Sequence, residues 1–395
     1  DMWQGTLESN LGEGAAVVEA YNAMGVTAAA IGNHDFDFGP QGSNTIPLES
    51  GEDPRGNLKQ RASEAQFPML AANLVDITTG APVAWENVQP SVVIEVAGIR
   101  VGIVGVMTAN ALTTTIAANV DGLAIAPLAD TIAAEARRLR ADGAALVVVA
   151  AHAGGRCTDF SDPEDLSSCN MSAEIMAVAN ALEPGLVDYI IGGHHHNPIA
   201  HIVNGIPITS NRGSTYSFGR VDFKLDPDQQ QVISRRVFAP QQTGPGSGDQ
   251  YEGYPLVANP EVERVAILAA TRVEALKQEK LGVSLTAPFD LKPDIESAIS
   301  NLMTEALLAS FDAEIAIHNV FGGIRNGLPS GELTYGAVFE MFPFDNVVTI
   351  HEVSGRDLRY IMARNVHTRR LPGFAGMRVF VTCDNTKMGV EMRLD

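Results

Sequence analysis

The chain has 395 residues, 45% of them hydrophobic, which is enough for two or three domains with buried cores and excludes global disorder. It carries 27 basic against 47 acidic residues, a formal net charge of −20. That sign argues against nucleic acid and anionic membranes as partners. No apolar run reaches the ~20 residues that a membrane helix needs.

The first part of the chain, to about residue 240, alternates helical patterns with short apolar runs. Helices are predicted over 11–24, 129–140 and 171–182. Buried strands are predicted over 26–31, 92–96, 101–106, 146–151 and 187–191, and a meander over 207–210, 220–225 and 231–238. This alternation is typical of an α/β layered domain.

A stretch rich in Pro, Gly and polar residues, 239–260, predicts a linker, and the following pattern predicts a connecting helix over 261–281. The second unit has a predicted helix over 295–311, a strand over 313–318, a Gly-rich turn, and a strand and helix beyond Pro343. The predicted organisation is therefore 1–240 and 282–395, joined by a connection over 241–281.

Cys157 and Cys169 bracket a polar loop that is short enough to close as a disulfide, and three cysteines are too few for a zinc site. The alternative is a pair of reduced surface thiols. Together with the acidic composition, this loop favours an extracellular or periplasmic location. The chain starts at Asp1 with no leader pattern, so we expect a mature form or a fragment.

Three of the predicted strands end in residues of metal-binding type. The segments that follow them are Gly32 to Asp37 (GNHDFD), His152 to Gly155 (HAGG) and Gly192 to Asn197 (GGHHHN). In open α/β sheets ligands bind outside the carboxyl ends of the strands, so these side chains are expected to converge. A mixed set of nitrogen and oxygen donors suits Zn²⁺, Mn²⁺, Fe or Co²⁺ better than Mg²⁺ or Ca²⁺.

Each segment also has an ordinary explanation. Asn33 and Asp35 are typical of a helix N-terminus or a turn, and a single histidine such as His152 is more often a hydrogen-bonded loop residue. The histidines at 194–196 would also fit a solvated loop or an adventitious chelator. The conjunction of three strand ends favours the metal site.

These segments, with the opening DMWQGT, resemble the motifs of calcineurin-like dinuclear metallophosphoesterases, and more narrowly the 5′-nucleotidase family. The resemblance implies a four-layer αββα domain followed by a smaller α/β 5′-nucleotidase C-terminal domain. It also implies site roles. Asp1 would bridge two metals, His34 would face the phosphate with Asp37 holding its other ring nitrogen, and the remaining ligands would be Asn33, His152 and His194 for the second metal and His196 for the first.

The family's DxH motif should lie upstream of Asp1 and is absent, as is its closing C-terminal motif, so we expect a chain truncated at both ends. The intact protein is then expected to hold two divalent ions of the Zn, Mn, Fe or Co class, and this fragment as few as one.

A second set of motifs lies in the C-terminal unit, where GGIR at 322–325 and PFDN at 343–346 resemble the substrate pocket of the same family. The implied binding residues are Asn319, Gly322, Gly323, Arg325 and Phe344. A guanidinium suits phosphate or ribose oxygens, and an aromatic ring can stack on a nucleobase. The ordinary alternatives are a structural salt bridge for Arg325 and a core position for Phe344.

The resemblance therefore implies a phosphomonoester hydrolase that releases phosphate from nucleotides by means of a metal-bridging hydroxide. Alternatives on the same scaffold are a 2′,3′-cyclic-nucleotide phosphodiesterase, a nucleotide-sugar hydrolase, or a thiosulfohydrolase, against which the GGIR and PFDN segments argue. A metal-binding surface protein without catalysis is a further alternative, disfavoured by His34 and Asp37. The expected partner is a small phosphorylated molecule; oligomeric state is left open.

Overall fold

The computed structural model describes residues 1–226, 231–244, 248–292, 295–367, 371–383 and 388–394. Within these, the chain forms two compact units, the first built from 1–4 and 12–268 and the second from 5–11 and 269–395. Among the described helices, none combines the length and apolar character that crossing a membrane requires.

The helices, in chain order, are α1 (Leu7–Asn10), α2 (Ala15–Met24), α3 (Gly56–Glu64), α4 (Leu128–Ala141), α5 (Glu174–Ala181), α6 (Pro260–Lys277), α7 (Ala298–Ser310), α8 (Val320–Gly323), α9 (Tyr335–Met341) and α10 (Gly355–His367). Short 3-10 turns cover His34–Phe36, Ala111–Thr113 and Ala117–Asn119. The two units divide within α6.

The strands of the first unit are β1 (Ala29–Ala30), β2 (Met69–Leu70), β3 (Leu74–Asp76), β4 (Val88–Gln89), β5 (Ser91–Val96), β6 (Ile99–Met107), β7 (Leu123–Ile125), β8 (Leu146–His152), β9 (Tyr189–Gly192), β10 (Ile199–Val203), β11 (Ile206–Ser210), β12 (Ser217–Phe218), β13 (Val221–Asp226), β14 (Gln231–Val237), β15 (Gln241–Gln242), β16 (Gln250–Tyr251) and β17 (Tyr254–Pro255). Those of the second unit are β18 (Lys280–Leu285), β19 (Ala316–His318), β20 (Gly331–Thr334), β21 (Gly373–Ala375), β22 (Met377–Cys383) and β23 (Met388–Leu394).

Two sheets pack together in the first unit. The larger has the strand order β10-β11-β9-β8-β6-β5, and the smaller, all parallel, has the order β1-β2-β4. Two glycines of β6 show how the layers meet. A Cβ at Gly102 would touch Leu139 of α4, whereas a Cβ at Gly105 would lie 2.1 Å from Leu70 of β2. Since successive residues of a strand face opposite ways, α4 covers one face of the large sheet and the small sheet covers the other.

The outer layers complete the domain. Val18 of α2 and Leu58 and Ala62 of α3 belong to one buried apolar cluster with Met69 of β2, so these helices cover the small sheet. Ile132 of α4 lies in a second cluster with the buried residues of β6 and β8. The predicted four-layer αββα domain is confirmed.

Strand register sets where the site can form. In the large sheet β6, β8 and β9 are parallel, with Met107 paired to His152 and Ala151 paired to Gly192. The three strands therefore end at one edge. In the small sheet the backbone amide of Ile31 donates to the carbonyl of Leu70, which places the residues after Ile31 at the end of β1.

The second unit is the smaller α/β domain that was predicted. Helix α7 packs on the antiparallel pair β19 and β21, and β18 pairs with β20. Its core includes Ile299, Val320, Ile324 and Leu328. Helix α10 packs on the β22–β23 hairpin.

Several predicted boundaries were wrong. The helix predicted over 261–281 ends at Lys277, and Lys280 begins a strand because this segment pairs with β20. The described chain has neither helix nor strand between Pro343 and Ser354, where a strand was predicted. Helix α3 was not predicted. Strand β2 was not predicted either, because a strand of two residues carries no periodicity. Residues 245–247 of the predicted linker lie outside the described residues.

Cys157 and Cys169 form a disulfide, as favoured above. Cys157 is buried in the core beside α5. A ring nitrogen of His201 lies within 4.8 Å of both sulfur atoms, but in this disulfide the sulfur atoms are bonded to each other rather than available as thiolates.

Candidate active site

The imidazole of His152 is the centre of a cluster of metal-binding side chains. Its Nε2 atom lies 2.9 Å from Oδ1 of Asn33, 3.1 Å from Nδ1 of His194 and 3.3 Å from Oδ1 of Asp1. Asn33 follows β1 of the small sheet, whereas His152 ends β8 and His194 follows β9 of the large one. The structure therefore brings together side chains from two different sheets.

The contacts made by His152 Nε2 have the spacing of neighbouring ligand atoms on one cation. Ligand atoms about 2.0–2.2 Å from one ion, at tetrahedral or octahedral angles, are roughly 2.8–3.6 Å apart. The distances around His152 Nε2 lie in that range. Two imidazole nitrogens and an amide oxygen that face one another in a largely buried site are a donor set suited to Zn²⁺ or Mn²⁺.

Burial keeps both imidazoles neutral. It lowers the pKa of His152 well below its usual value, and it lowers the pKa of His194 to about 4, with the neighbouring His195 adding to the shift. Only a neutral imidazole has a lone pair for a metal. Protons therefore compete weakly for this site at neutral pH.

The same shift predicts a pH dependence of stability in the metal-free protein. The unfolded chain takes up protons on His194 below about pH 6.5, whereas the native imidazole stays neutral to about pH 4. Stability is therefore present above pH 6.5 and is lost as pH falls towards 4. For His194 alone the loss between pH 7 and pH 5 is about 2 kcal/mol.

Urea unfolding at pH 7 and pH 5, after removal of metal with EDTA, measures this loss. The H194Q variant should show a shallower dependence than the wild type. Equal slopes for the two proteins would contradict the expected shift.

Asp1 is held against the other residues by main-chain contacts. Its Oδ1 accepts a hydrogen bond of 2.8 Å from the backbone amide of His34. At Gly32 a Cβ would lie 2.2 Å from that same oxygen and 2.9 Å from the ring of His152. Glycine is thus required for Asp1 and His152 to approach each other. The bridging role of Asp1 stays a prediction.

His34 and Asp37 form a dyad beside this cluster. Nδ1 of His34 lies 2.6 Å from Oδ2 of Asp37 across a single 3-10 turn. Since an ionised carboxylate only accepts, Nδ1 carries the proton and donates it to this bond. The same Oδ2 accepts from Nε2 of Gln4 at 3.0 Å. The structure thus places the two side chains in hydrogen-bonding contact, and their catalytic roles stay a prediction.

Asp35 was not predicted to matter to the site. It is almost fully buried, and its two oxygens accept from the backbone amides of Met2 at 2.9 Å and Gly32 at 2.8 Å. It thereby ties the segment that carries Asp1 to the segment that carries Asn33. Burial raises the pKa of its carboxyl. Its place between His34 and Asp37 was the available sequence signal.

The two following histidines are more exposed than His194. His196 is exposed, with its ring against Gly213, and His195 is exposed beside the ring of His194. His194 and His196 both have positive φ, 70° and 53°. His196 as a ligand of the first metal stays a prediction.

In the second unit, Arg325 and Phe344 are in contact. The guanidinium carbon lies 4.8 Å from the centre of the Phe344 ring, and the backbone amide of Arg325 donates to the carbonyl of Met341. Phe344 is only 6% exposed, as expected for the ordinary alternative of a core position. The segment before Arg325, which includes α8, leaves no room for a side chain at Gly323, where a Cβ would lie 2.7 Å from the ring of His318. Gly322 in the same segment has φ +90°. Asn319 precedes α8 in this segment.

Residues 280–390 match the family model of the 5′-nucleotidase C-terminal domain. The second unit is a 5′-nucleotidase C-terminal domain. The 5′-nucleotidase precursor of Thermus thermophilus has the same overall fold, with a TM-score of 0.72 at 22% identity over 96% of this chain and 71% of that one. The fold of the whole chain is thus that of the two-domain 5′-nucleotidases, and the resemblance seen in the motifs is confirmed.

A 5′-nucleotidase is also among the curated relatives of the chain. The chain is 23% identical to the 5′-nucleotidase of Vibrio cholerae, covering all of this chain and 73% of that protein. It is 24% identical to endonuclease YhcR of Bacillus subtilis and 24% identical to the cell wall protein Lmo0130 of Listeria monocytogenes. It spans only 30% and 46% of the lengths of those two proteins.

Proposed function

We propose that this protein is a metal-dependent phosphomonoester hydrolase of the 5′-nucleotidase type, which releases phosphate from nucleotides. The observation that carries the proposal is the juxtaposition of His34 and Asp37 with the donor atoms around His152 Nε2. A metal site alone would serve a binding protein. A hydrogen-bonded His–Asp pair at its edge adds a group that can move a proton.

The residues that would hold a divalent ion are Asn33, His152 and His194, with Asp1 as the proposed bridge to a second ion and His196 as a ligand of that ion. When bound, such ions supply Lewis-acid charge for the phosphate and activate water. The class of ion we propose is Zn, Mn, Fe or Co, from the mixed nitrogen and oxygen donors.

The protein's own contribution to proton transfer falls to His34. Asp37 accepts from Nδ1 and so fixes the tautomer and the plane of the ring. In the imidazolium form of the ring the opposite nitrogen, Nε2, also carries a proton, and from there it would stabilise charge on the phosphoryl group or donate that proton to the leaving oxygen. His34 and Asp37 are thus proposed to act as a proton-transfer histidine and the carboxylate that orients it.

We propose further that the substrate is a small phosphorylated molecule bound with the help of the Arg325 loop. The guanidinium can donate two parallel hydrogen bonds to phosphate or ribose oxygens, and the ring of Phe344 supports its plane. The Cys157–Cys169 disulfide supports an extracellular or periplasmic location, because such bonds persist in oxidising compartments.

Phosphate release from a nucleoside monophosphate tests the proposed reaction. The protein is stripped with EDTA and then supplied with Mn²⁺, Zn²⁺ or Co²⁺. Activity should be absent after stripping and return with the metal. A reconstituted protein that binds metal but releases no phosphate from any nucleoside monophosphate would refute the function.

The Arg325 loop makes a separate prediction. The R325A variant should raise KM for nucleoside monophosphates about tenfold, because a hydrogen bond to a charged group is worth roughly 1.5–3 kcal/mol. F344A should raise the same KM, because it removes the ring that supports the guanidinium. KM for p-nitrophenyl phosphate, which lacks the nucleoside, should change much less. R359A, at an exposed position of α10, is the matched control. Equal changes for both substrates would show that Arg325 and Phe344 do not recognise the nucleoside.

A further inference from the structure

We propose that Thr115 is a positioning residue of the active site, which holds Asp37 so that Asp37 can orient His34. The inference rests on the proposed function and extends it to a loop that carries none of the motifs. Thr115 lies between the 3-10 turns Ala111–Thr113 and Ala117–Asn119, in the connection from β6 to β7.

The contacts of Asp37 explain the role. Oγ1 of Thr115 donates to Oδ1 of Asp37 at 2.7 Å, while Oδ2 accepts from His34 and Gln4. Both oxygens therefore have a partner, and the plane of the carboxylate is set from both sides. The side chain of Asp37 is only 5% exposed, so water has little access to replace a lost donor.

The neighbouring Thr114, in the same loop, orients one of the donor side chains around His152. Its carbonyl accepts from Nδ2 of Asn33 at 2.8 Å. Because the nitrogen and oxygen of an amide point in opposite directions, this bond turns Oδ1 of Asn33 towards Nε2 of His152. Two consecutive residues thus orient one proposed ligand and the proposed proton-transfer pair.

The loop is itself anchored to the residues that it orients. Nδ2 of the fully buried Asn119 donates to the carbonyls of Phe36 at 2.9 Å and Thr45 at 2.8 Å. Phe36 lies in the same turn as His34. The bond from Asn119 to Phe36 therefore gives the loop a second link to the turn that carries His34.

The chain offers a matched control in its own run of threonines. Thr113 directs its hydroxyl to the carbonyl of Asn110 within the local turn, at 2.9 Å, whereas Thr115 directs its hydroxyl to Asp37. The T113V and T115V variants remove the same chemical group two positions apart. T115S keeps the donor and removes only a methyl group.

The first test needs no activity. In metal-free protein labelled with ¹⁵N-histidine, the Nδ1 proton of His34 should exchange slowly with water, since it is bonded to a buried carboxylate. We expect the exchange to be at least tenfold faster in T115V and unchanged in T113V and T115S. Unchanged exchange in T115V, with Asp37 still in place, would overturn the proposal.

The second test separates positioning from folding. T115V should lower kcat for a nucleoside monophosphate about tenfold, with KM and bound metal unchanged and with T115S restoring the rate. In an H34A background, T115V should cause no further loss, because the effect passes through His34. A full additional loss there would show a general structural role. If the wild type hydrolyses no nucleotide, the proposed function fails, whereas the exchange measurement still decides the role of Thr115.

Discussion

Replacement of His34 by alanine is expected to lower kcat for nucleoside monophosphates by ~10²–10⁴, the range for loss of an acid–base or charge-stabilising group. Bound metal should stay the same, because the ring contributes to the dyad with Asp37 rather than to the donor atoms around His152. The backbone amide that His34 gives to Asp1 is kept in this variant.

Steady-state kinetics and plasma emission spectrometry on the same preparation measure both quantities. The expected loss should be smaller for p-nitrophenyl phosphate, since its leaving group departs without needing a proton. Loss of metal from H34A would mean that the ring is a ligand, and the assigned role would then be wrong. The D37N variant should show a partial loss of kcat, because it keeps the shape of the side chain and removes its charge.

Replacement of His152 by alanine is expected to abolish metal binding and, with it, activity. Its Nε2 is the atom on which the contacts of Asn33, His194 and Asp1 converge. Even residues that only support metal ligands contribute 10–100-fold to metal affinity, so loss of this nitrogen should weaken binding by more than about 100-fold.

His195 provides the control, since it is adjacent to His194 in sequence and exposed. H195A should keep the metal content and the rate of the wild type. Metal titration followed by emission spectrometry distinguishes the two variants, and urea unfolding checks that H152A still folds. Full metal occupancy in a folded H152A protein would remove the basis of the proposed centre.

The convergence of the strand-end motifs could be predicted from the chain because parallel strands end at a common edge. The apolar runs before His152 and Gly192 identify β8 and β9, and their register follows from parallel pairing. Asn33 required more, since it follows the two-residue strand β1 of another sheet. The apolar run over 26–31 placed Asn33 after a predicted strand, but it did not show that this strand belongs to a second sheet.

The roles of Asp35 and Thr115 could not be predicted from the sequence, for a different reason. Asp35 and Thr115 act through hydrogen bonds to Met2 and Asp37, respectively, that join segments distant in the chain. Asp, Thr and Asn in loops ordinarily bond to their own turns, as Thr113 does. Residue type therefore does not distinguish a local bond from a long-range one.

The amino-acid sequence by itself determined the fold class, the resemblance to the 5′-nucleotidases and the identity of the side chains around His152, because apolar periodicity and short motifs are local properties. The tertiary structure alone decided that Lys280 begins a strand, that Phe344 is buried against Arg325, and that the loop after β6 holds Asp37 and Asn33. These features depend on partners contributed by remote segments, and their free energy exists only once the chain has folded.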